Sequence, residues 1–182
     1  MTTGELERAV DLISQLADDR EVGDIARRTL AFVDGHPDAL LRSCRDGHLT
    51  GSTLVLDHDH DRLAVLFHAK LRRWLQPGGH ADGDGDLARV ALREAVEETR
   101  LDGLDLLPDP VDIDIHRVDP PREPAHLHLD VRFVAVAPAG AVLVGNHESL
   151  ELRWVRLDEL RSLEVDESVL RLARRGRDCV SR

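Results

Sequence analysis

Residues 78 to 101 read GGHADGDGDLARVALREAVEETRL: two glycines, an acidic loop and a run of strong helix formers. The run from Leu87 to Arg100 contains neither Gly nor Pro and is rich in Ala, Leu, Arg and Glu, which favour a helix. Asp84 and Asp86 precede it, where carboxylates cap free backbone N–H groups and face the positive end of the helix dipole. The stretch therefore predicts a glycine turn and an acidic loop, followed by a helix over residues 87–100.

Three glutamates share one face of this predicted helix. At about 100° per residue, Glu94, Glu97 and Glu98 fall within roughly 100° of arc. Arg93, four residues before Glu97, is spaced for an ion pair with it. The opposite face carries the residues expected to pack against the rest of the protein: Ala88, Leu92, Ala95, Val96 and Thr99.

Crowded carboxylates repel one another, and the i,i+4 pair Glu94 and Glu98 costs a few tenths of a kcal/mol in an isolated helix. A divalent cation turns this repulsion into attraction, because hard cations such as Mg²⁺ take oxygen ligands. Pro77, Gly78 and Gly79 bring bare backbone carbonyls to the same helix. These features favour a metal site, and the alternative is a solvated acidic helix face.

The same stretch resembles the sequence box of the Nudix hydrolases. That box is a glycine, five residues, a glutamate, seven residues, Arg-Glu, an apolar residue, any residue, Glu-Glu, any residue, a glycine and an apolar residue. Two positions depart from it, because Gly85 stands where the first glutamate belongs and Arg100 where the second glycine belongs. The positions that match at the correct spacing are Gly79, Arg93, Glu94, Ala95, Glu97, Glu98 and Leu101.

The resemblance implies an α/β fold, a Nudix-like α/β/α sandwich with a mixed sheet. It also implies an activity: divalent-metal-dependent hydrolysis of a diphosphate bond in a nucleoside diphosphate linked to another moiety. The expected cofactor is Mg²⁺ or Mn²⁺, which polarises the diphosphate while water attacks it.

Site roles follow from the same resemblance, position by position. Glu97, Glu98 and the backbone carbonyl of Gly78 are expected to bind the metal. Glu94 is expected to be a further ligand or the base that activates water, and Arg93 to orient the glutamates. The family also places an acid before its last strands, for which Glu148 is the first candidate and Glu151 the second.

Gly85 raises a question about metal affinity. In the family the glutamate at this place supports the metal cluster, and the loss of such support weakens metal binding by about 10–100-fold. Asp82, Asp84 or Asp86 could compensate from the same loop. The alternative function is therefore a degenerate Nudix domain that binds a nucleotide or metabolite without hydrolysis.

A second constellation lies later in the chain, at His126, His128 and Asp130. Residues spaced by two on a strand point to the same side of a sheet, and His80 and His116 could converge with them. Such a face could consist of hydrogen-bonded histidines only, could contact substrate phosphates together with Arg132, or could hold a transition metal such as Zn²⁺. The predicted substrate-binding residues are His80, His126, His128, Asp130 and Arg132.

The rest of the chain supplies the other elements. Two helix-period stripes between residues 4 and 43 predict an N-terminal helical extension over 1–45, packed on a Nudix domain at 46–176 and followed by a tail at 177–182. A final helix is expected over 168–175. Strand patterns occur at 48–57, 63–68, 111–118, 126–137, 142–144 and 150–155.

Composition narrows the class of partner. The formal net charge of −11 argues against nucleic-acid binding, which needs a basic surface, but suits a phosphate substrate whose charge a metal neutralises. The sequence has no apolar run long enough to span a membrane and no secretory signal pattern, so a cytoplasmic location is expected. The partner is then a small-molecule diphosphate, and the extra helical segment makes a homodimer plausible.

Overall fold

Eight strands form within the part of the chain that the computed structural model describes, residues 3–120, 124–146 and 149–181. The strands are β1 (Gly47–Leu56), β2 (Arg62–His68), β3 (Trp74–Leu75), β4 (Gly78–His80), β5 (Asp105–Leu106), β6 (Asp112–Val118), β7 (His126–Val136) and β8 (Ser149–Arg156). The helices are α1 (Thr3–Ser14), α2 (Gly23–Gly35), α3 (Leu87–Thr99), α4 (Leu157–Leu160) and α5 (Glu167–Val180).

A long parallel pair forms the centre of the sheet. Strands β1 and β7 run side by side in register from Gly47 opposite Leu127 to Leu56 opposite Val136. Strands β2 and β4 add to β1, β5 and β6 add to β7, and β8 adds to β2, all antiparallel. The sheet is therefore mixed, as predicted.

Helices cover both faces of this sheet. On one face, Leu49, Leu129 and Phe133 pack with the apolar sides of α1, α2 and α3. On the other, Leu54 and Val134 pack with α4 and α5. Because side chains alternate along a strand, successive residues of β1 and β7 point in turn to the apolar cores on the two faces of the sheet. The predicted α/β/α sandwich is confirmed, and so are its N-terminal helices.

Two predicted elements differ from the structure. Residues 142–144 form no strand, because Val144 donates its backbone N–H to the carbonyl of Thr99 at the end of α3, 3.0 Å away, and Val142 is exposed. Helix α5 does not end at Arg175 but continues to Val180, because Gly176 is buried against Leu54 and Val134 of the sheet. Among the described residues, no helix has the length and apolarity needed to cross a membrane.

Candidate active site

The short strand β4 pairs with the middle of β1, where α3 also packs, and it positions the candidate site. Gly78, Gly79 and His80 pair with Ser52, Gly51 and Thr50 of β1. The first turn of α3 lies so close to β1 that a Cβ added to Gly51 would come within 2.8 Å of the Leu87 carbonyl oxygen. Helix, strand and glycine turn therefore form one packed unit.

Glu98 is the buried acid of this unit, with 4% of its surface exposed. One of its carboxylate oxygens accepts the backbone N–H of Gly78 at 2.9 Å. A buried carboxylate is costly unless it is hydrogen-bonded or paired with a cation. Glu98 is thus held beside the backbone whose carbonyl was predicted to share a metal with it.

Glu94 contacts the next residue of β4. A Cβ added to Gly79 would lie 2.4 Å from the carboxyl carbon of Glu94 and 2.5 and 2.8 Å from its oxygens, so a side chain here would displace the Glu94 carboxylate. Arg93 donates to Glu94 Oε1 at 2.8 Å and to the His80 carbonyl at 3.0 Å. Arg93 therefore orients Glu94 against the glycine turn, and the expected pair with Glu97 is replaced by this one.

Glu97 is exposed and lies towards the loop that precedes β8. In that loop, the side-chain amide of Asn146 donates to the Glu97 carbonyl at 3.2 Å. The predicted ligand Glu148 lies outside the described residues. The second candidate for this role, Glu151, is exposed on β8 and accepts a hydrogen bond from Arg153 at 2.8 Å.

The buried face of α3 differs from the predicted one. Of the residues expected to pack, only Ala95 and Thr99 are buried, whereas Leu92 and Val96 are half-buried. Helix α3 packs against both β1 and β4, so a wide arc of its surface is buried. That arc includes a carboxylate. The buried residues are Leu87, Val90, Ala91, Ala95, Glu98 and Thr99.

The acids of the loop before α3 are all engaged in local structure. Asp82 makes two 2.7 Å hydrogen bonds with Arg42, which lowers the pKa of the Asp82 carboxyl. Asp84 pairs with Arg89 at 2.6 and 2.8 Å, and Asp86 caps α3 by accepting the backbone N–H of Arg89. The cap confirms the predicted start of the helix.

Gly85 is in contact with the N-terminal helix. A Cβ at this position would lie 1.7 Å from the carbonyl oxygen of Glu5 in α1, so no side chain fits. The backbone N–H of Gly85 donates to Glu5 Oε2 at 2.9 Å. The space that a box glutamate would enter is therefore taken up by α1, and a carboxylate from α1 hydrogen-bonds to the same backbone.

Across β4 from the glutamates, five imidazoles form a cluster. The ring of His48 lies 4.9, 4.8 and 5.0 Å from the rings of His80, His126 and His128. His116 joins at the edge, with its ring centroid 5.5 Å from that of His128. The predicted convergence of His80, His116, His126 and His128 is therefore what the structure contains.

Two imidazoles of the cluster, His80 and His128, are uncharged near neutral pH. Burial and the neighbouring Arg42 lower the pKa of His80 to about 4. Burial and the surrounding imidazoles lower the pKa of His128 to about 2. Burial disfavours the charged form, and each added positive ring disfavours it further.

His48 was missed by the sequence analysis. It begins a run of polar residues at every second position of an otherwise apolar strand, with Thr50 and Ser52 following. This alternation is the signal that could have identified a polar face on a buried strand.

Asp130 and Arg132 continue the polar face of β7 beyond the histidines. Asp130 accepts from Thr50 at 2.9 Å, from Ser52 at 2.8 Å and from Arg132 at 2.8 Å. Arg132 is buried and also pairs with Asp112 at 3.3 Å. These contacts tie β1, β6 and β7 together, and the expected contact of Asp130 and Arg132 with substrate remains a prediction.

Comparison with known proteins adds a family and a fold. A family model described as NUDIX domain matches residues 48–174. Among solved structures, a NUDIX-family hydrolase from Clostridium perfringens is similar, with 22% identity and a TM-score of 0.61 over 73% of this chain and 97% of that one. No curated protein matches the chain significantly.

Two further solved structures share the fold. An Ap4A hydrolase from C. elegans, in a binary complex, has 15% identity and a TM-score of 0.60 over 73% of this chain and 97% of that one. The NUDIX domain of NrtR from Shewanella oneidensis, bound to ADP ribose, has 18% identity and a TM-score of 0.55 over 72% and 87%.

Proposed function

Since this chain belongs to the NUDIX domain family, we propose that it is a pyrophosphohydrolase that cleaves a diphosphate bond in a nucleotide with the help of a divalent metal. The proposed substrate is a nucleoside diphosphate linked to another moiety. Two proteins of similar fold support this class, because one is an Ap4A hydrolase and the other binds ADP ribose.

The observation that carries the proposal is the contact between the α3 glutamates and the glycines of β4. Glu98 accepts the Gly78 N–H at 2.9 Å, and the carboxylate of Glu94 occupies the space that a Cβ of Gly79 would fill. Two carboxylates thus meet a backbone without side chains. A hard cation binds such a set of oxygen donors, and a phosphate group can approach a bare backbone closely.

The donor set fits the metal that the family implies. Glu97, Glu98 and the carbonyl of Gly78 would hold Mg²⁺ or Mn²⁺, with Glu94 as the adjacent carboxylate. When bound, the ion would supply positive charge to the diphosphate oxygens and lower the pKa of a water ligand. Imidazole nitrogens are not among these donors, which agrees with the preference of Mg²⁺ for oxygen.

The residues of the chain supply orientation and a proton acceptor. Arg93 holds Oε1 of Glu94 at 2.8 Å and takes its own position from the His80 carbonyl at 3.0 Å. We propose that Glu94 Oε2 takes up the proton of the attacking water. Glu98 fixes the Gly78 backbone, so that a change at either residue alters the position of the other.

The test is product release from a panel of dinucleoside polyphosphates, nucleotide sugars and CoA, with Mg²⁺ or Mn²⁺. Glu98→Gln keeps an oxygen that can accept the Gly78 N–H but removes the charge. We expect it to lower kcat/KM by at least about 100-fold, because a metal ligand is lost while the local fold persists. Glu7→Gln, which changes an exposed glutamate of α1, is the matched control and should leave kcat/KM unchanged.

Two outcomes would contradict the proposal. Equal turnover by wild type and Glu98→Gln would show that the α3 glutamates do not take part in catalysis. A wild-type protein that binds a panel nucleotide but turns over none of them, with either metal, would instead identify the non-hydrolysing binding domain described above as the alternative function.

A further inference from the structure

Three of the clustered imidazoles have the arrangement of metal ligands. Among the described residues, His48, His126 and His128 each offer one ring nitrogen, and these three nitrogens lie within 4.8 Å of one another. His48 and His128 are register partners on the central strands β1 and β7. His126 lies two residues earlier on the same face of β7. The three rings therefore project from the longest pairing in the sheet, whose backbone holds them in place.

A hydrogen bond at the edge of this set fixes the tautomer of His126. His126 Nδ1 lies 2.8 Å from the Pro124 carbonyl oxygen, to which it donates as an N–H group. Its Nε2 then carries the lone pair. Metal-bound histidines in proteins are oriented in this way, with the second ring nitrogen donating to a carbonyl or carboxylate. His116 repeats the pattern, because its Nδ1 lies 3.2 Å from Asp114 Oδ2.

We propose that His48, His126 and His128 bind one transition-metal ion of the zinc class, at a site separate from the carboxylate site of α3. Imidazole nitrogens suit Zn²⁺, Co²⁺, Ni²⁺ and Cu²⁺, whereas Mg²⁺ takes oxygen. Around a tetrahedral ion with Zn–N bonds near 2.0–2.1 Å, ligand nitrogens stand roughly 3.4 Å apart. The observed ring nitrogens lie within 4.8 Å of one another, so binding an ion would draw them closer together.

The position of His80 gives the site a fourth neighbour. Its ring centroid lies 4.9 Å from that of His48 and 5.0 Å from that of His128. Because His80 directly follows Gly78 and Gly79, one three-residue strand borders both sites. The imidazole site is therefore placed beside the proposed diphosphate site, with β4 as the strand that the two sites share.

The experiment is a titration of chelator-treated protein with Co²⁺, followed by visible absorption, and with Zn²⁺, followed by metal content after gel filtration. Wild type should bind one equivalent of Co²⁺ with the visible band of a nitrogen-ligated tetrahedral ion. A large excess of Mg²⁺ should leave this band unchanged. A band in the wild-type protein is informative without any variant, so the test does not depend on how a substitution affects folding.

Variants then identify the ligands. His128→Asn should weaken Co²⁺ binding by at least about 100-fold, with circular dichroism used to verify that the variant is folded. His58→Asn changes an exposed histidine of the β1–β2 turn and should bind like wild type. The Glu97→Gln/Glu98→Gln protein should keep the Co²⁺ band, which makes failure of this site distinguishable from failure of the hydrolase proposal.

Two results would overturn the site. One is a wild-type protein that takes up neither Co²⁺ nor Zn²⁺. The other is a folded His128→Asn variant that binds either ion with wild-type affinity.

Discussion

At the scale of single residues, Gly85 changes meaning once its surroundings are known. As a departure from the Nudix box it reads as a lost glutamate. In the structure, α1 lies against it so closely that the carbonyl of Glu5 occupies the place of a side chain. The Glu5 carboxylate also accepts the Gly85 N–H. The glycine is therefore required by the helix that packs on it.

Adding a side chain at this position should destabilise the protein. Gly85→Ala places a methyl group 1.7 Å from a backbone oxygen, and we expect a loss of about 3 kcal/mol or more in the free energy of unfolding, because a backbone must move. Gly85→Glu, which completes that box position, should not raise activity. Chemical denaturation measures the first effect and the nucleotide assay the second.

The control is Gly4→Ala in α1, the helix that packs on Gly85. An added Cβ at Gly4 meets nothing within 4 Å. Because alanine favours helix over glycine by about 1 kcal/mol, this variant should be as stable as wild type or more so. Wild-type stability of Gly85→Ala would mean that α1 does not pack where the structure places it.

At the scale of elements, Arg175 is the less exposed of two neighbouring arginines that tie α5 to the turn between α1 and α2. Arg175 donates to Asp19 at 2.8 and 3.1 Å, in the turn between α1 and α2, and to the Val111 carbonyl at 2.7 Å. The Arg175 guanidinium, helped by backbone N–H groups, holds the pKa of the Asp19 carboxyl well below its usual range, although burial opposes this. The two ends of the described chain are thus coupled through a half-buried ion pair.

Arg175→Ala should lower the free energy of unfolding by about 2–3 kcal/mol at pH 7, because it removes several charge-assisted hydrogen bonds. A lowered carboxyl pKa stabilises the folded state above the ordinary aspartate pKa near 4, and this contribution is lost as the pH falls towards the lowered value. The difference between wild type and variant should therefore narrow below about pH 4. Urea denaturation at several pH values measures it.

Arg174→Ala is the matched control on the same helix. Its side chain is 51% exposed and pairs with Glu21 at the surface, so its loss should cost less than about 1 kcal/mol at any pH. An Arg175 effect as small as this one, or one that grows in acid, would contradict the role of the Asp19 pair.

At the scale of the whole molecule, the N-terminal helices share a core with the sheet. Ala9, Ile13 and Ala26 lie in the same buried cluster as Leu129 and Phe133. The boundary between a helical extension at 1–45 and a Nudix domain at 46–176 stays a prediction about domains, but the packing has a consequence for stability. Because the N-terminal helices and the sheet bury apolar surface against each other, unfolding of one exposes the buried surface of the other, and the two should unfold together.

Ile13→Ala should therefore destabilise the whole protein. A fully buried isoleucine truncated to alanine costs about 2–5 kcal/mol. Trp74 and Trp154 both lie outside the N-terminal helices, so their fluorescence reports on the rest of the chain. We expect fluorescence and far-ultraviolet circular dichroism to show one coincident transition, shifted equally in the variant.

Asp11→Ala, on the exposed side of α1, is the control and should change the free energy of unfolding by no more than about 0.5 kcal/mol with either probe. Two separate transitions would mean that the N-terminal helices unfold independently.

The helix, the glycine turn and most strands follow from local signals and were predictable. Asp86 caps α3 because its carboxylate reaches the Arg89 N–H within one turn, and such a contact depends on sequence spacing alone. The pairing of Arg93 was not predictable in this way, since Glu94 and Glu97 are both within reach along the chain. Only the position of β4, whose His80 carbonyl takes the second hydrogen bond, selects Glu94.

The sequence by itself determined the family, the carboxylate helix and the polar face of β7, because each depends on residue type at fixed spacing along one element. The tertiary structure decided that His48 joins His126 and His128, because strands far apart in sequence pair in a register that local patterns do not specify. It also decided that Gly85 must be a glycine, because the backbone that excludes a side chain belongs to α1, 80 residues earlier in the chain. Contacts between distant segments set both, and no local spacing encodes them.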